Sequence, residues 1–272
     1  MDIDRRVQLS RADFEAEYLS GVGKPVIVTD AIDKWAARSK WTFTFFAERY
    51  GEKVVTVADR LGRAKAARRV KFADYLIYCQ FPFSTSLAQA NPEFPFYLTS
   101  FSPFAEHPEL LEDFETPYFV DNIYSELPDN FRKWYHEGFG WIFIGPKGTL
   151  SPFHVDLFGT HAWLAQLRGT KKFVLVPPKG CALQPVDCLL GSGEVIFIPA
   201  GWAHQVISLE PSISLTFNFV NRSNCLQHVL AISRDLPLWV NKIDTPSFAE
   251  PAGKTWISRG FDSCEGTIEH GV

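Results

Sequence analysis

Val195-Ile196-Phe197-Ile198, Pro199-Ala200-Gly201, Trp202-Ala203-His204-Gln205-Val206-Ile207-Ser208-Leu209, Glu210-Pro211, Ser212-Ile213-Ser214-Leu215-Thr216-Phe217-Asn218-Phe219 is one continuous run of the chain. Its apolar stretches are short, rich in β-branched and aromatic residues, and cut by Gly and Pro, which is the signature of strands joined by tight turns. The last segment alternates strictly. Ser212, Ser214, Thr216 and Asn218 share one face and Ile213, Leu215, Phe217 and Phe219 the other, as the two-residue period of a strand requires. Upstream the same punctuation recurs. Trp141 to Ile144 ends at Gly145-Pro146-Lys147-Gly148, Ala162 to Leu167 at Arg168-Gly169, Lys172 to Val176 at Pro177-Pro178, and Gly191-Ser192-Gly193 precedes Val195. The expectation is a mainly β fold with flanking helices, either a sandwich or a closed barrel.

Helical patterns lie outside this region. Ser10 is placed to cap a helix beginning at Arg11, and aromatic residues recur at helical spacing from Trp41 to Tyr50 before Gly51. Phe72 to Gln80, Glu109 to Phe114, Cys225 to Asp235 and Leu236 to Lys242 read as further helices, and Lys24 to Thr29 and Val54 to Ala58 as strands. The change of character suggests α/β elements over 1–139, a β core over 140–221, and a helical segment with a polar tail over 222–272. Phe81 to Phe104 and Pro117 to Phe139 read as irregular loops able to recognise a substrate.

Hydrophobic residues make up 46% and aromatic residues 15% of the 272, enough for a large core. A net charge of −4 supplies no global basic field to draw the chain onto nucleic acid or anionic lipid. One basic run, Arg60, Arg63, Lys65, Arg68, Arg69 and Lys71, reads first as a solvated face. The five cysteines Cys79, Cys181, Cys188, Cys225 and Cys264 include no C-x-x-C pair and read as free thiols. With no signal-like leader and no membrane-length apolar run, a cytoplasmic protein with no membrane partner is expected.

The chemistry centres on Phe153-His154-Val155-Asp156. His154 and Asp156, two apart on an extended segment, point to the same side. His204, from a distant strand, completes a set of two imidazoles and one carboxylate, the facial arrangement of non-haem Fe(II) oxygenases. H-x-D alone is common. If His204 is a ligand, its strand face lines a cavity, and the polar face of Ser212 to Phe219 lines it too.

Ser151 to Asp156, Gly159-Thr160, Trp163, Gly169-Thr170-Lys171-Lys172-Phe173 and Gly193 to His204 together resemble the JmjC (jumonji-C, cupin-like) family. Lys24 to Ile27 with Trp35 and Trp41 is similar to the family's N-terminal segment. Phe96-Tyr97-Leu98 with Leu110 to Phe114 is similar to its lysyl hydroxylases of splicing factors. The resemblance implies a double-stranded β-helix (a jelly-roll, cupin-like barrel) and dependence on Fe(II), 2-oxoglutarate and O2. His154, Asp156 and His204 would then be the metal ligands. Lys171 would pair with the distal carboxylate of 2-oxoglutarate, and Thr216, Ser151 and Tyr97 would offer hydroxyls to it. Asn218 and Ser208 would be nearby polar contacts, and Trp141 a wall of the barrel. Leu164 departs from the pattern, standing where the splicing-factor hydroxylases have an Asn. His161 is extra, a pocket group or, with greater weight, a surface or packed histidine.

The implied reaction couples decarboxylation of 2-oxoglutarate to succinate with C–H hydroxylation, most simply of a protein or peptide side chain. A small-molecule or tRNA-modifying oxygenase of the same family remains open, as does a cupin that binds a metal or ligand without turnover. The apolar residues Leu226, Val229, Leu230, Ile232, Leu236, Leu238 and Val240 allow the C-terminal helices either to cap the barrel or to form a homodimer seam.

Overall fold

The chain reverses at the turn residues, and the segments between them pair as strands in the computed structural model, which describes residues 2–58, 67–85, 87 and 95–240. The side chains of residues 235–240, with Leu236, Leu238 and Val240, lie outside the described residues. So do Arg60, Arg63, Lys65, Lys242, Cys264 and the rest of the C-terminal tail. In chain order the elements are β1 Asp4–Arg6, α1 Arg11–Tyr18, β2 Val26–Val28, α2 Ala37–Lys40, α3 Phe43–Tyr50, β3 Val54–Val57, β4 Arg68–Lys71, α4 Phe72–Gln80 and β5 Leu98–Phe101. There follow α5 Asp129–Phe139, β6 Gly140–Gly145, β7 Leu150–His154, β8 His161–Arg168, β9 Lys171–Val176, β10 Val186–Leu190, β11 Val195–Ile198, β12 Ala203–Ser208, β13 Ser212–Phe219 and α6 Cys225–Val240.

One sheet has seven strands in the order β1-β2-β11-β8-β13-β6-β5, the other four in the order β10-β9-β12-β7. From β6 to β13 the chain alternates between them, with only β9 and β10 in succession on the same sheet. This winding sets the sheets face to face and is the cupin-like jelly roll that the sequence led us to expect. Between the sheets lie Leu164, Ile196 and Ile198 from the larger one against Phe173, Leu175, Val186 and Val206 from the smaller. The outer face of the larger sheet, with Trp163, Leu215 and Phe217, packs on Phe14, Trp35, Trp41 and Phe46 of the N-terminal region.

Because the larger sheet is covered on both sides, every residue of β13 is buried. Its polar face looks inward, where Ser214 donates to Gln166 Oε1 at 2.8 Å and Ser208 and Ser212 share a 3.1 Å hydrogen bond. Leu164 packs between the sheets opposite Thr216, so its apolar side chain serves the core.

Helix starts follow their side-chain caps. Ser10 Oγ accepts from Asp13 N at 3.1 Å, and Thr42 Oγ1 accepts from Phe45 N at 3.0 Å, which starts α3 two residues after Trp41. Glu109 to Phe114 is realised as a 3-10 turn, Pro108–Asp113. The reading of 117–139 as loop is corrected by α5, which buries only Tyr135 and Phe139 and leaves Phe131 and Trp134 half-exposed. Phe131, Tyr135 and Phe139 recur every fourth residue, a helical period that the reading as loop passed over. The two C-terminal helices expected are a single one, α6. Among the described residues, Arg68, Arg69 and Lys71 of the basic run lie on β4, hairpinned to β3, and no helix is long and apolar enough to cross a membrane.

Candidate active site

β7 and β12 are antiparallel neighbours with His154 directly opposite His204. A register shift between His204 and Val206 accommodates an extra residue on β7, which turns Ser151 and His154 to the same interior side. The imidazole centroids are 4.2 Å apart. Asp156 follows on extended backbone (φ −61°, ψ 147°) and caps the next turn without spending its carboxylate on a backbone N–H. One ligand atom from each of His154, Asp156 and His204 lies within 4.8 Å of the others.

Both rings are held by the carbonyl two residues upstream. His154 Nδ1 donates to Pro152 O at 2.8 Å and His204 Nδ1 to Trp202 O at 3.2 Å. A carbonyl only accepts, so Nδ1 carries the proton and Nε2 the lone pair in each neutral ring. Burial pulls the His204 pKa below its ordinary value, against the opposing pull of the Asp156 carboxylate, which favours the neutral ring. Two neutral imidazoles and a carboxylate are the donor set that suits Fe(II) and its neighbours in the transition series, and these three residues could hold such an ion. His204 is buried, while β7 is the outer strand of its sheet and leaves His154 and Asp156 half-buried at the rim.

Four residues along β12 from His204, on the same interior face, Ser208 pairs with Lys171 of β9. At the rise of a strand the Cα atoms of His204 and Ser208 stand roughly 13 Å apart, a span that the Lys171 side chain shortens by reaching across the interior. Lys171 is fully buried. Its Nζ donates to Tyr97 Oη at 3.0 Å and lies 5.5 Å from the ring centroid of Phe143. Among the described residues no carboxylate pairs with it, and burial pulls its pKa down to about 7. Tyr97 is likewise buried, its hydroxyl kept protonated by desolvation and in hydrogen-bond reach of Ser208 and Ser151. A solitary cation among hydroxyls and aromatic faces is a costly arrangement that an incoming anion relieves.

The structure therefore brings Lys171, Tyr97, Ser151 and Ser208 together. Thr216 and Asn218 have other partners: Thr216 Oγ1 donates to Trp163 O at 2.8 Å, and Asn218 Nδ2 to Thr160 Oγ1 at 2.8 Å. Trp141 pairs with Thr216 in the barrel wall. His161 resolves as a packed histidine. Its Nδ1 accepts from Ala200 N at 2.9 Å, its Nε2 is 2.9 Å from Ser223 Oγ, and burial holds its pKa near 3. Phe143 escaped the sequence reading, since nothing in a strand's apolar alternation says that one ring faces a cation.

The signature of the cupin-like domain matches residues 11–183 of this chain. Among curated proteins the chain is similar to the lysine-specific demethylase JMJ21 of Arabidopsis thaliana, at 28% identity over 82% of this chain and 26% of that protein. It is 27% identical to the 2-oxoglutarate and iron-dependent oxygenase JMJD4 of Gallus gallus, over 89% of this chain and 67% of the relative. With the bifunctional arginine demethylase and lysyl-hydroxylase psr-1 of Caenorhabditis elegans it shares 26% identity over 80% of this chain and 60% of the relative. The chain thus spans from a quarter to two thirds of these relatives' lengths. By the domain match over well over half its length, and by the relatives that share it, the chain belongs to the cupin-like family of JmjC-type domains.

Proposed function

We propose that this chain is an Fe(II)- and 2-oxoglutarate-dependent oxygenase that hydroxylates a side chain of a protein substrate. The observation that carries the reading is Lys171, a buried cation that no carboxylate among the described residues pairs with, on the same interior face as the His154–Asp156–His204 cluster. A dicarboxylate would meet metal ligands at one end and a desolvated ammonium at the other. A cupin that only held a metal would have no need of that cation. The relatives support the chemistry: one is named as an oxygenase dependent on 2-oxoglutarate and iron, another as both demethylase and lysyl-hydroxylase.

With Fe(II) and 2-oxoglutarate bound, the pair supplies an O2-driven oxidation of a substrate C–H bond coupled to release of succinate and CO2. The chain's own part is positional. The carbonyls of Pro152 and Trp202 fix the imidazole tautomers, and Asp156 contributes the one formal negative charge. Lys171 receives the distal carboxylate, with the Tyr97, Ser151 and Ser208 hydroxyls about it. Phe143, Leu164 and Val206 keep the space between the sheets apolar.

Succinate release from 2-oxoglutarate, after O2 is admitted to anaerobically iron-loaded protein, tests the reading beside a His154→Ala/Asp156→Ala control. Incubation with lysine- and arginine-containing peptides, followed by mass spectrometry, separates gain of an oxygen from loss of a methyl group. Turnover with a small molecule or tRNA but no peptide would redirect the substrate class. No turnover and no 2-oxoglutarate binding would leave a ligand-binding cupin. We also propose that two copies pair through α6, whose Leu226, Val229 and Leu230 stand 55–73% exposed on one face, and that the protein acts in the cytoplasm.

A further inference from the structure

Two residues beyond Asp156 the backbone enters a conformation that side-chain-bearing residues avoid. Phe158 has φ 55° and ψ 28°, and Gly159 follows at φ 61°. For an L-residue with a Cβ this costs roughly 1–2 kcal/mol. Such a turn persists only where its surroundings over-determine it.

Three successive carbonyls of this turn are gripped by side chains. Leu157 O receives Thr160 Oγ1 at 2.8 Å, Phe158 O receives His228 Nδ1 at 2.7 Å, and Gly159 O receives Asn224 Nδ2 at 3.0 Å. The first grip is local, and Asn218 steadies it by donating to Thr160 Oγ1. The other two come from outside the β core, from the first turn of α6 and the residue before it. A Cβ on Gly159 would stand 2.9 Å from Gln227 Cγ, so α6 presses directly on the turn.

His228 uses both of its nitrogens. Since Nδ1 donates to a carbonyl, Nε2 of the neutral ring accepts the hydroxyl proton of Tyr124 at 2.7 Å. Tyr124 is itself stacked on Tyr135 of α5, with ring centroids 4.9 Å apart. The ring thus ties the turn after Asp156 to a fixed aromatic wall.

We propose that His228 is a positioning residue for the metal centre: through its Nδ1 bond to Phe158 O it holds the strained turn that fixes where the Asp156 carboxylate points. This rests on reading His154, Asp156 and His204 as metal ligands. Groups behind a ligand that set its orientation typically change metal affinity about 10- to 100-fold when removed.

The test uses the full chain and cobalt(II), titrated anaerobically and followed by its d–d absorption, with thermal unfolding of each metal-free variant as the check on folding. His228→Asn places an amide N–H as many bonds from Cβ as Nδ1, and so restores the bond to Phe158 O alone. His228→Gln places its amide where Nε2 was, and so serves Tyr124 alone. Wild type binds cobalt and Asp156→Ala does not. His228→Ala and His228→Gln weaken binding about tenfold or more and alter the d–d bands, while His228→Asn returns to within about threefold of wild type. Should His228→Ala fail to fold, the Asn and Gln variants decide by themselves. Wild-type affinity in His228→Gln, or rescue by Gln and not by Asn, would overturn the proposal and leave His228 as an anchor for α6. Equal cobalt binding by wild type and Asp156→Ala, or none by either, would instead remove the metal reading, and this inference with it.

Discussion

Lys171 concentrates the site's electrostatics in one side chain. Its pKa, ordinarily 10.5, is drawn down to about 7 by burial, so the unfolded chain binds more protons than the folded one between those values. Stability of the ligand-free protein therefore rises with pH from about 7 toward 10.5, by at most about 1.4 kcal/mol per unit. Below pH 7 the penalty of the buried charge is fully present. Lys171→Met, of similar shape and uncharged, should stabilise the ligand-free protein at pH 7 by about 1–4 kcal/mol. Its advantage over wild type should shrink as pH rises, which urea unfolding of the two proteins side by side measures free of the opposing titrations of Cys79 and Cys188. The same change should weaken 2-oxoglutarate binding by roughly 2–5 kcal/mol, because the distal carboxylate would be buried without a partner. Binding to the wild type above pH 7 should draw a proton onto Nζ, and calorimetry in two buffers of different ionisation enthalpy should detect it.

At the scale of the element, β6 makes room for that lysine's companion. A Cβ on Gly145 would stand 2.6 Å from Tyr97 Cδ2 and 2.9 Å from Thr149 Cγ2. Gly145→Ala should push the Tyr97 ring away from Lys171, costing about 1–3 kcal/mol of stability. It should also weaken 2-oxoglutarate binding several-fold, against an unchanged His154–Asp156–His204 affinity for cobalt. The strands themselves were legible wherever apolar residues alternated or ran together between turn residues: Val195–Ile198 and Ser212–Phe219 are as the sequence suggests, to within a residue. β1 and β4 were not. Asp4-Arg5-Arg6 and Arg68-Arg69-Val70-Lys71 turn mostly charged side chains to solvent, and they are strands because their backbones pair with β2 and β3. The spacing of His154, Asp156 and His204 could be read because ligands on one strand face must be two apart. The bonds of Thr216 and Asn218 could not, because a hydroxyl or amide chooses among neighbours that only the folded sheets supply. The grip of Asn224 and His228 on the turn after Asp156 was equally hidden, since no local pattern couples residues some 65 to 70 positions apart.

For the whole molecule, a ligand that binds only the folded state raises its stability in proportion to the logarithm of concentration over Kd. Cobalt at a hundredfold excess over its Kd should add about 2.7 kcal/mol, on the order of 5–10 °C in Tm for a chain of this size. Asp156→Ala should abolish that gain, as differential scanning calorimetry would show. If α6 forms the dimer seam, sedimentation velocity will find two copies in wild type and one in Leu226→Glu/Leu230→Glu, with cobalt binding retained, because those side chains lie on the face turned away from His228 and Asn224.

The uncompensated cation in the barrel has a further consequence, in the lifetime of the protein. A chain whose native state is penalised until an anion arrives opens more often when that anion is scarce, and the opened fraction is what proteases cleave. Cosubstrate supply would then govern how long each molecule survives as well as how fast it turns over. Digestion by a nonspecific protease should slow as 2-oxoglutarate is added to wild type, and should be indifferent to it in Lys171→Met.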